Sequence, residues 1–225
     1  MPEPPRRSRA VVFDWGGVLT VPMDHALGAW LQADGVEQSH FRAVMTEWLG
    51  LGPDRTAAAV VPAPVDSPIH AVERGLLSAS GFEAAMAAAL ALRGSHVASE
   101  GLLRRMLAGL EALDPNMIEL IHEVRRRGAR TALLSNSWGD HYPDQLFDGL
   151  FDAVVISGRE GLRKPEPAIF ALVAQRLGVD VTDCLLVDDL GVNVAGAQQV
   201  GMSAILHTAI GPTRDGVLAA VGDGG

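Results

Sequence analysis

The chain has 225 residues, a formal charge of −9, 48% hydrophobic and 5% aromatic residues. That length holds one domain or a domain with an insert, and the apolar share is ample for a packed core. The acidic balance argues against a nucleic-acid binder. No apolar run is long enough to cross a membrane, and the N-terminus lacks the apolar centre of a signal peptide.

Residues 1–8 are rich in Pro and Arg and read as a flexible terminus. The apolar run Ala10-Val11-Val12-Phe13 then stops at one carboxylate, Asp14, followed by Gly16 and Gly17. A buried parallel strand that delivers an acid into a crevice has this pattern. From Pro22 the character becomes helical and Ala-rich. Helices are expected over 24–33, with Asp24 as cap, and over 38–49, where Phe41, Val44, Met45, Trp48 and Leu49 keep helical spacing. Residues 61–68 carry three prolines and predict a loop. Ser80-x-x-Glu83 is a capping-box pattern opening a helix to about Leu92, and another helix is expected over 100–110.

After Asp114 the chain alternates regularly. Asp114-Pro115 opens a helix that Gly128 closes. Strands are expected over 131–134, 153–156, 184–187 and 204–206, with helices from Pro167 to Gly178 and over 192–200 between them. Strands alternating with helices mean βα units and a parallel sheet. Cys184, the single cysteine, reads as a small buried hydrophobe, and the absence of a disulfide framework fits a reducing cytoplasm. The Gly-rich tail from Gly211 reads as loosely held.

Four strand ends carry polar residues. Strand one ends in Asp14 and strand two in Ser135-Asn136-Ser137. Strand three leads to Arg163-Lys164-Pro165, and strand four ends in Asp188-Asp189. In a parallel sheet these ends open onto one edge, where α/β folds bind ligands. Three carboxylates placed together raise one another's pKa unless a cation joins them, and their hard oxygens suit Mg2+. Ser135, Asn136 and Lys164, the only lysine of the chain, could hold the oxygens of a phosphoryl group. Taken singly, Ser135 also reads as a turn cap, Lys164 as a surface lysine and Asp188 as a helix N-cap.

Phe13-Asp14-Trp15-Gly16-Gly17-Val18-Leu19, Leu133-Leu134-Ser135-Asn136, Arg163-Lys164-Pro165-Glu166-Pro167 and Leu186-Val187-Asp188-Asp189 together resemble, in order and spacing, the four motifs of the haloacid dehalogenase-like (HAD) hydrolases. The block from Glu73-Arg74-Gly75 to Phe82-Glu83 is similar to a cap segment of the branch holding the N-terminal phosphatase domain of soluble epoxide hydrolase. The resemblance implies an α/β fold with a Rossmann-like parallel sheet core over 9–21 and 112–210. It also implies an inserted α-helical cap domain over 22–111, and leaves 1–8 and 211–225 as flexible termini. It implies a magnesium-dependent phosphatase acting on a small phosphorylated metabolite. Asp14 would be the nucleophile. Asp14, the Gly16 carbonyl and Asp189 would hold the metal, with Asp188 direct or through water. Ser135 and Asn136 would bind phosphate, and Lys164 would orient Asp14 and neutralise charge.

One position departs from the pattern. Phosphatases of the family carry a second Asp two residues after the nucleophile as general acid and base, and here Gly16 stands there. Asp24, His25 and His141 are the nearby candidates for a substitute. Gly16 therefore favours, as the alternative, a non-catalytic module that binds a phosphorylated ligand or a protein. Haloacid dehalogenase chemistry works without metal, and the Asp188-Asp189 pair argues against it. The Ala-rich insert could also pack against a second copy to give a homodimer.

Overall fold

The structure is a computed structural model. It describes residues 8–50 (Asp24 by its backbone alone), 67–110, 112–139, 142 and 147–222. Of the loop expected over 61–68, residues 61–66 lie outside that description, as do His141 and the side chain of Asp24, while Ser67 caps and Pro68 opens a helix.

Five strands form one parallel sheet: β1 (Ala10–Phe13), β2 (Arg130–Ser135), β3 (Ala153–Ile156), β4 (Cys184–Asp188) and β5 (Ser203–Leu206). Their order is β3-β2-β1-β4-β5. The register sets Phe13 beside Leu133 on one side and Val187 on the other. Strands β1, β2 and β4 are buried on both faces, which is why they read as unbroken apolar runs. The chain winds outward from β1 through β2 to β3, then returns to place β4 on the other side of β1. A ligand crevice forms at such a reversal.

Two apolar clusters cover the sheet faces. One gathers Val11, Phe13, Leu133 and Val187 with Met117, Leu120, Ile121 and Val124 of a helix over Pro115–Arg126. The Asp114 side chain caps that helix, accepting from Asn116 N, as its Asp-Pro start predicts. The other face takes Val12, Leu134 and Leu186 against Ile169, Phe170, Val173 and Leu177 of a helix over Pro167–Leu177.

Between β1 and the helix over Pro115–Arg126 the described residues form five α-helices, α1 (Met23–Ala33), α2 (Gln38–Leu49), α3 (Pro68–Glu73), α4 (Ala79–Ala91) and α5 (Leu102–Leu107). They enclose their own apolar cluster, from Leu27, Trp30 and Phe41 to Phe82, Met86, Leu103 and Met106. A bridge between Thr20 and Leu113, with Asp114 N donating to Leu19 O at 2.8 Å, closes the base of this segment.

The helix over Pro115–Arg126 is α6, Ser157–Glu160 is α7, Pro167–Leu177 is α8, Gly191–Gln199 is α9 and Ile210–Val221 is α10. Three expectations change. Ser78, not Ser80, caps α4, accepting from Gly81 N, while Glu83 accepts from Leu103 N and so ties α4 to α5. Asp24, expected as the cap of the first helix, lies inside α1, and Pro22 stands at the N-cap position without a side-chain bond. The tail expected to be loose is α10 as far as Val221. Thr213, Val217 and Val221 recur every four residues and are buried, and Ser8 N donates to Ala220 O at 2.9 Å. Gly216 serves close packing there, since a Cβ would stand 2.9 Å from Ile205 Cδ1.

Candidate active site

The strand ends meet as the topology requires. Asp14 follows β1 directly, and its Oδ1 accepts from Trp15 N at 2.7 Å and pairs with Lys164 Nζ at 2.8 Å. Lys164 is fully buried and also pairs with Asp188 Oδ2 at 2.6 Å. Asp188 is fully buried too. Its Oδ1 accepts from Leu190 N and Asn193 Nδ2, both at 2.9 Å, and its Oδ2 faces Asn193 Nδ2 at 3.2 Å. A buried carboxylate persists only when paired and hydrogen-bonded in this way.

The carboxylates of Asp14, Asp188 and Asp189 place oxygens within 4.8 Å of one another. One ammonium cannot balance three such groups. Burial is the largest influence on Asp14; Lys164 opposes it, Asp188 and Asp189 reinforce it, and the carboxyl is pushed up from 3.8 to about 7. Burial works against the Lys164 charge, yet Asp14 and Asp188 overcome it and hold the ammonium above the usual lysine range.

The turn after Asp14 brings Asp189 close. Gly17 has a φ of 76°, and a Cβ there would lie 2.4 Å from Asp189 Oδ2. No side chain fits at residue 17 without displacing that carboxylate. Gly16 is under no such constraint. A Cβ would meet only Met23 Cε, the end of a flexible chain, at 3.0 Å.

Asp14, Gly16, Ser135, Asn136, Lys164 and Asp189 all line one cavity of about 1020 Å³. Asp188 stands behind Lys164 and anchors it. Ser135 Oγ lies 2.8 Å from Tyr142 OH. The Asn136 side chain accepts from Lys164 N at 2.8 Å and donates to Lys164 O at 3.0 Å. Its oxygen and one N–H are therefore committed to positioning the lysine loop, leaving one N–H for a ligand. His25 is exposed on α1 and does not line the cavity.

The sequence offered Glu73-Arg74-Gly75 as similar to a cap segment, but not their role in joining the helical segment to this floor. Glu73, at the end of α3, is buried and lines the cavity, with Oε2 accepting from Arg163 Nε at 2.5 Å and Oε1 from Trp138 Nε1 at 3.4 Å. Burial raises its pKa above the ordinary value against the pull of Arg163. Arg74 pairs with Glu166, and Gly75 passes so near Gly158 O that a Cβ would stand 2.3 Å away. These partners are separated by 65 to 92 residues and leave no local pattern of pairing in the sequence. Tyr142 and Asn193 carry no motif signal either.

Comparison with known proteins bears on the family and the fold. The profile of the haloacid dehalogenase-like hydrolases matches residues 8–201. Phosphatase MT3486 of Mycobacterium tuberculosis is 36% identical over 109 residues, 46% of this chain and 50% of that protein. Bifunctional epoxide hydrolase 2 of Sus scrofa is 29% identical over 98 residues, 40% of this chain and 18% of that protein. The chain thus aligns with half or less of these relatives' own length. A HAD-family enzyme of Bacteroides thetaiotaomicron, crystallised with magnesium and inorganic phosphate, shares the fold with a TM-score of 0.62 at 19% identity. That alignment covers 90% of this chain and 95% of the other.

Proposed function

The chain belongs to the haloacid dehalogenase-like hydrolases, and from that premise we propose that it is a divalent-cation-dependent phosphomonoesterase that works through a phosphoryl group carried on Asp14. The observation that carries the reading is the joining of Asp14, Asp188 and Asp189 within 4.8 Å around one buried lysine. Three hard-oxygen donors with one compensating charge fit a magnesium ion, and the family resemblance adds the Gly16 carbonyl to the set. When bound, such an ion would draw charge from the phosphoryl oxygens and relieve the repulsion between the carboxylates.

The residues then have separate tasks. An Asp14 carboxylate oxygen attacks phosphorus, forming a P–O bond while the ester P–O bond breaks and the alcohol leaves. Lys164 holds Asp14 in line through the 2.8 Å ion pair and faces the developing charge. Ser135 and the remaining N–H of the Asn136 amide hold the other phosphoryl oxygens. Water then attacks phosphorus, the Asp14–phosphorus link breaks, and the carboxylate and inorganic phosphate are restored. Gly16 supplies no acid or base, so the leaving oxygen takes its proton from water or from another cavity group. General acid–base help is worth about 10²–10⁴ in rate. Slow turnover on poor leaving groups is the consequence. The five helices would serve as a cap that excludes water and selects the substrate, with Glu73–Arg163 and Arg74–Glu166 as its ties to the core.

Release of phosphate from para-nitrophenyl phosphate tests the reading. Activity with Mg2+, its loss in EDTA, and its loss in Asp14→Asn are expected. Equal activity of wild type and Asp14→Asn would overturn it.

A further inference from the structure

We propose that Tyr142 is a positioning residue for phosphoryl binding, whose hydroxyl sets the direction in which Ser135 offers its single proton; this rests on the phosphatase reading of the same site. Ser135 Oγ lies 2.8 Å from Tyr142 OH, and among the described residues that hydroxyl is its only hydrogen-bond partner. Both residues line the cavity that holds Asp14 and Lys164. A serine hydroxyl has one proton and two lone pairs. If Ser135 donates to Tyr142, no proton is left for a phosphoryl oxygen, and lone pairs face the incoming charge. If Tyr142 donates to Ser135, the serine keeps its proton for the ligand.

Two features make the tyrosine the donor. A phenol is more acidic than an alcohol and gives up its hydrogen more readily in a hydrogen bond. Burial also pushes the Tyr142 hydroxyl above its usual range; the bond to Ser135 works against that rise and Asp14 works with it, so the proton stays on the phenol. A relay then runs from Tyr142 OH to Ser135 Oγ and on to a phosphoryl oxygen. A hydroxyl that accepts one hydrogen bond is polarised to donate the next.

The ring is held so that its oxygen has a fixed place. Tyr142 stands edge-on to Trp15, with centroids 5.7 Å apart and planes at 67°, and tilted against Phe147 at 6.3 Å. Trp15 and Phe147 meet each other at 5.6 Å, which closes the set of three rings. Trp15 N donates to Asp14 Oδ1 at 2.7 Å. Tyr142 therefore packs on the residue that orients Asp14 and bonds to the residue that meets the phosphoryl group. Removing its oxygen alone, as in Tyr142→Phe, leaves the three rings in place.

The test is a double-mutant cycle of Tyr142→Phe and Ser135→Ala. It is read by kcat/KM on para-nitrophenyl phosphate with Mg2+ and by calorimetry of inorganic phosphate with Mg2+. Tyr142→Phe should lower both quantities about two- to tenfold, the worth of one hydrogen bond. The double variant should match Ser135→Ala alone, because the tyrosine acts through that hydroxyl. Tyr142 is the only tyrosine of the chain, so fluorotyrosine labels this position alone without a change of sequence. Its fluorine NMR signal should shift when inorganic phosphate and Mg2+ are added, and the shift should be lost in Ser135→Ala. Wild-type behaviour of Tyr142→Phe by both readouts would overturn the inference. So would the same fold-loss from Tyr142→Phe with and without Ser135, since a loss that multiplies means that the tyrosine acts independently of the serine. Phosphate binding that follows the cycle, with no phosphate release by any variant, would support the positioning role and remove the phosphatase reading instead.

Discussion

The cavity has a floor and walls built on different physical principles. The floor is a lattice of charge: Lys164 lies between Asp14 and Asp188, Asp188 is held by Leu190 N and Asn193, and Asn136 grips the backbone of Lys164. The walls carry Met, Leu and Phe side chains of α1 and α2, with Gln38, Arg42 and Thr46 beside them on α2. The floor therefore admits one geometry, because each buried polar group depends on its partners. The walls tolerate exchange of side chains of similar volume. Chemistry resides in the first and choice of substrate in the second.

Removing the lysine breaks the floor most severely. Lys164→Met leaves two buried carboxylates facing each other and should cost about 3–5 kcal/mol of stability and at least about a hundredfold in phosphate release. Urea unfolding at two pH values checks the cause. The stability deficit should shrink at pH 5.5, where Asp14, its pKa already raised by burial, takes up a proton. A Leu31→Met change in the wall should leave the fold within about 1.5 kcal/mol of wild type.

The two glycines after Asp14 sharpen the contrast inside the floor itself. Gly17→Ala forces a side chain at φ 76° into Asp189 Oδ2. A stability loss of about 1–3 kcal/mol and weaker magnesium activation should follow. Gly16→Asp meets only the end of Met23, so the protein should fold, stay active and gain up to about tenfold on poor leaving groups, within the range that acid–base help provides. Loss of folding or of metal response in Gly16→Asp would show that glycine is needed there for backbone approach.

The pH dependence follows from the sign of the Asp14 shift. Its folded pKa of about 7 lies above the ordinary 3.8, so the folded state binds the proton more tightly than the unfolded chain. That contribution to stability is present below the ordinary value and is lost as pH rises toward 7. Magnesium ions compete with the proton for the same oxygens. Thermal unfolding with and without Mg2+ should therefore give a larger rise in Tm at pH 8 than at pH 5.5. An equal rise at both would place the cation elsewhere. The smallest effect belongs to the helices: Ser78→Ala removes the α4 cap and should cost about 1 kcal/mol with little change in kcat.

The floor was largely legible in the sequence because each acid ends an apolar strand, and a parallel sheet must bring such ends to one edge. Asp14, Ser135, Lys164 and the Asp188-Asp189 pair are all readable on that ground. Asn136 was legible as a site residue but not as the clamp on Lys164, since that contact crosses 28 residues without a pattern. The walls were legible as helices, and α2 keeps its expected bounds, Gln38–Leu49. Periodicity alone does not say which apolar stripe meets a core and which meets a cavity, so Met45 and Leu49 could not be separated from Val44 and Trp48. The ties through Glu73 and Arg74 depend on tertiary approach, and α10 was hidden by glycines, of which Gly216 serves close packing rather than looseness.

The most direct test of the central claim is the stereochemical course at phosphorus. An isotopically chiral phosphorothioate ester, hydrolysed by the wild-type protein with Mg2+ in labelled water, should give product with net retention. Two in-line displacements, first by Asp14 and then by water, require that result. Net inversion would mean that water attacks the ester directly and would contradict a phosphoryl group carried on Asp14.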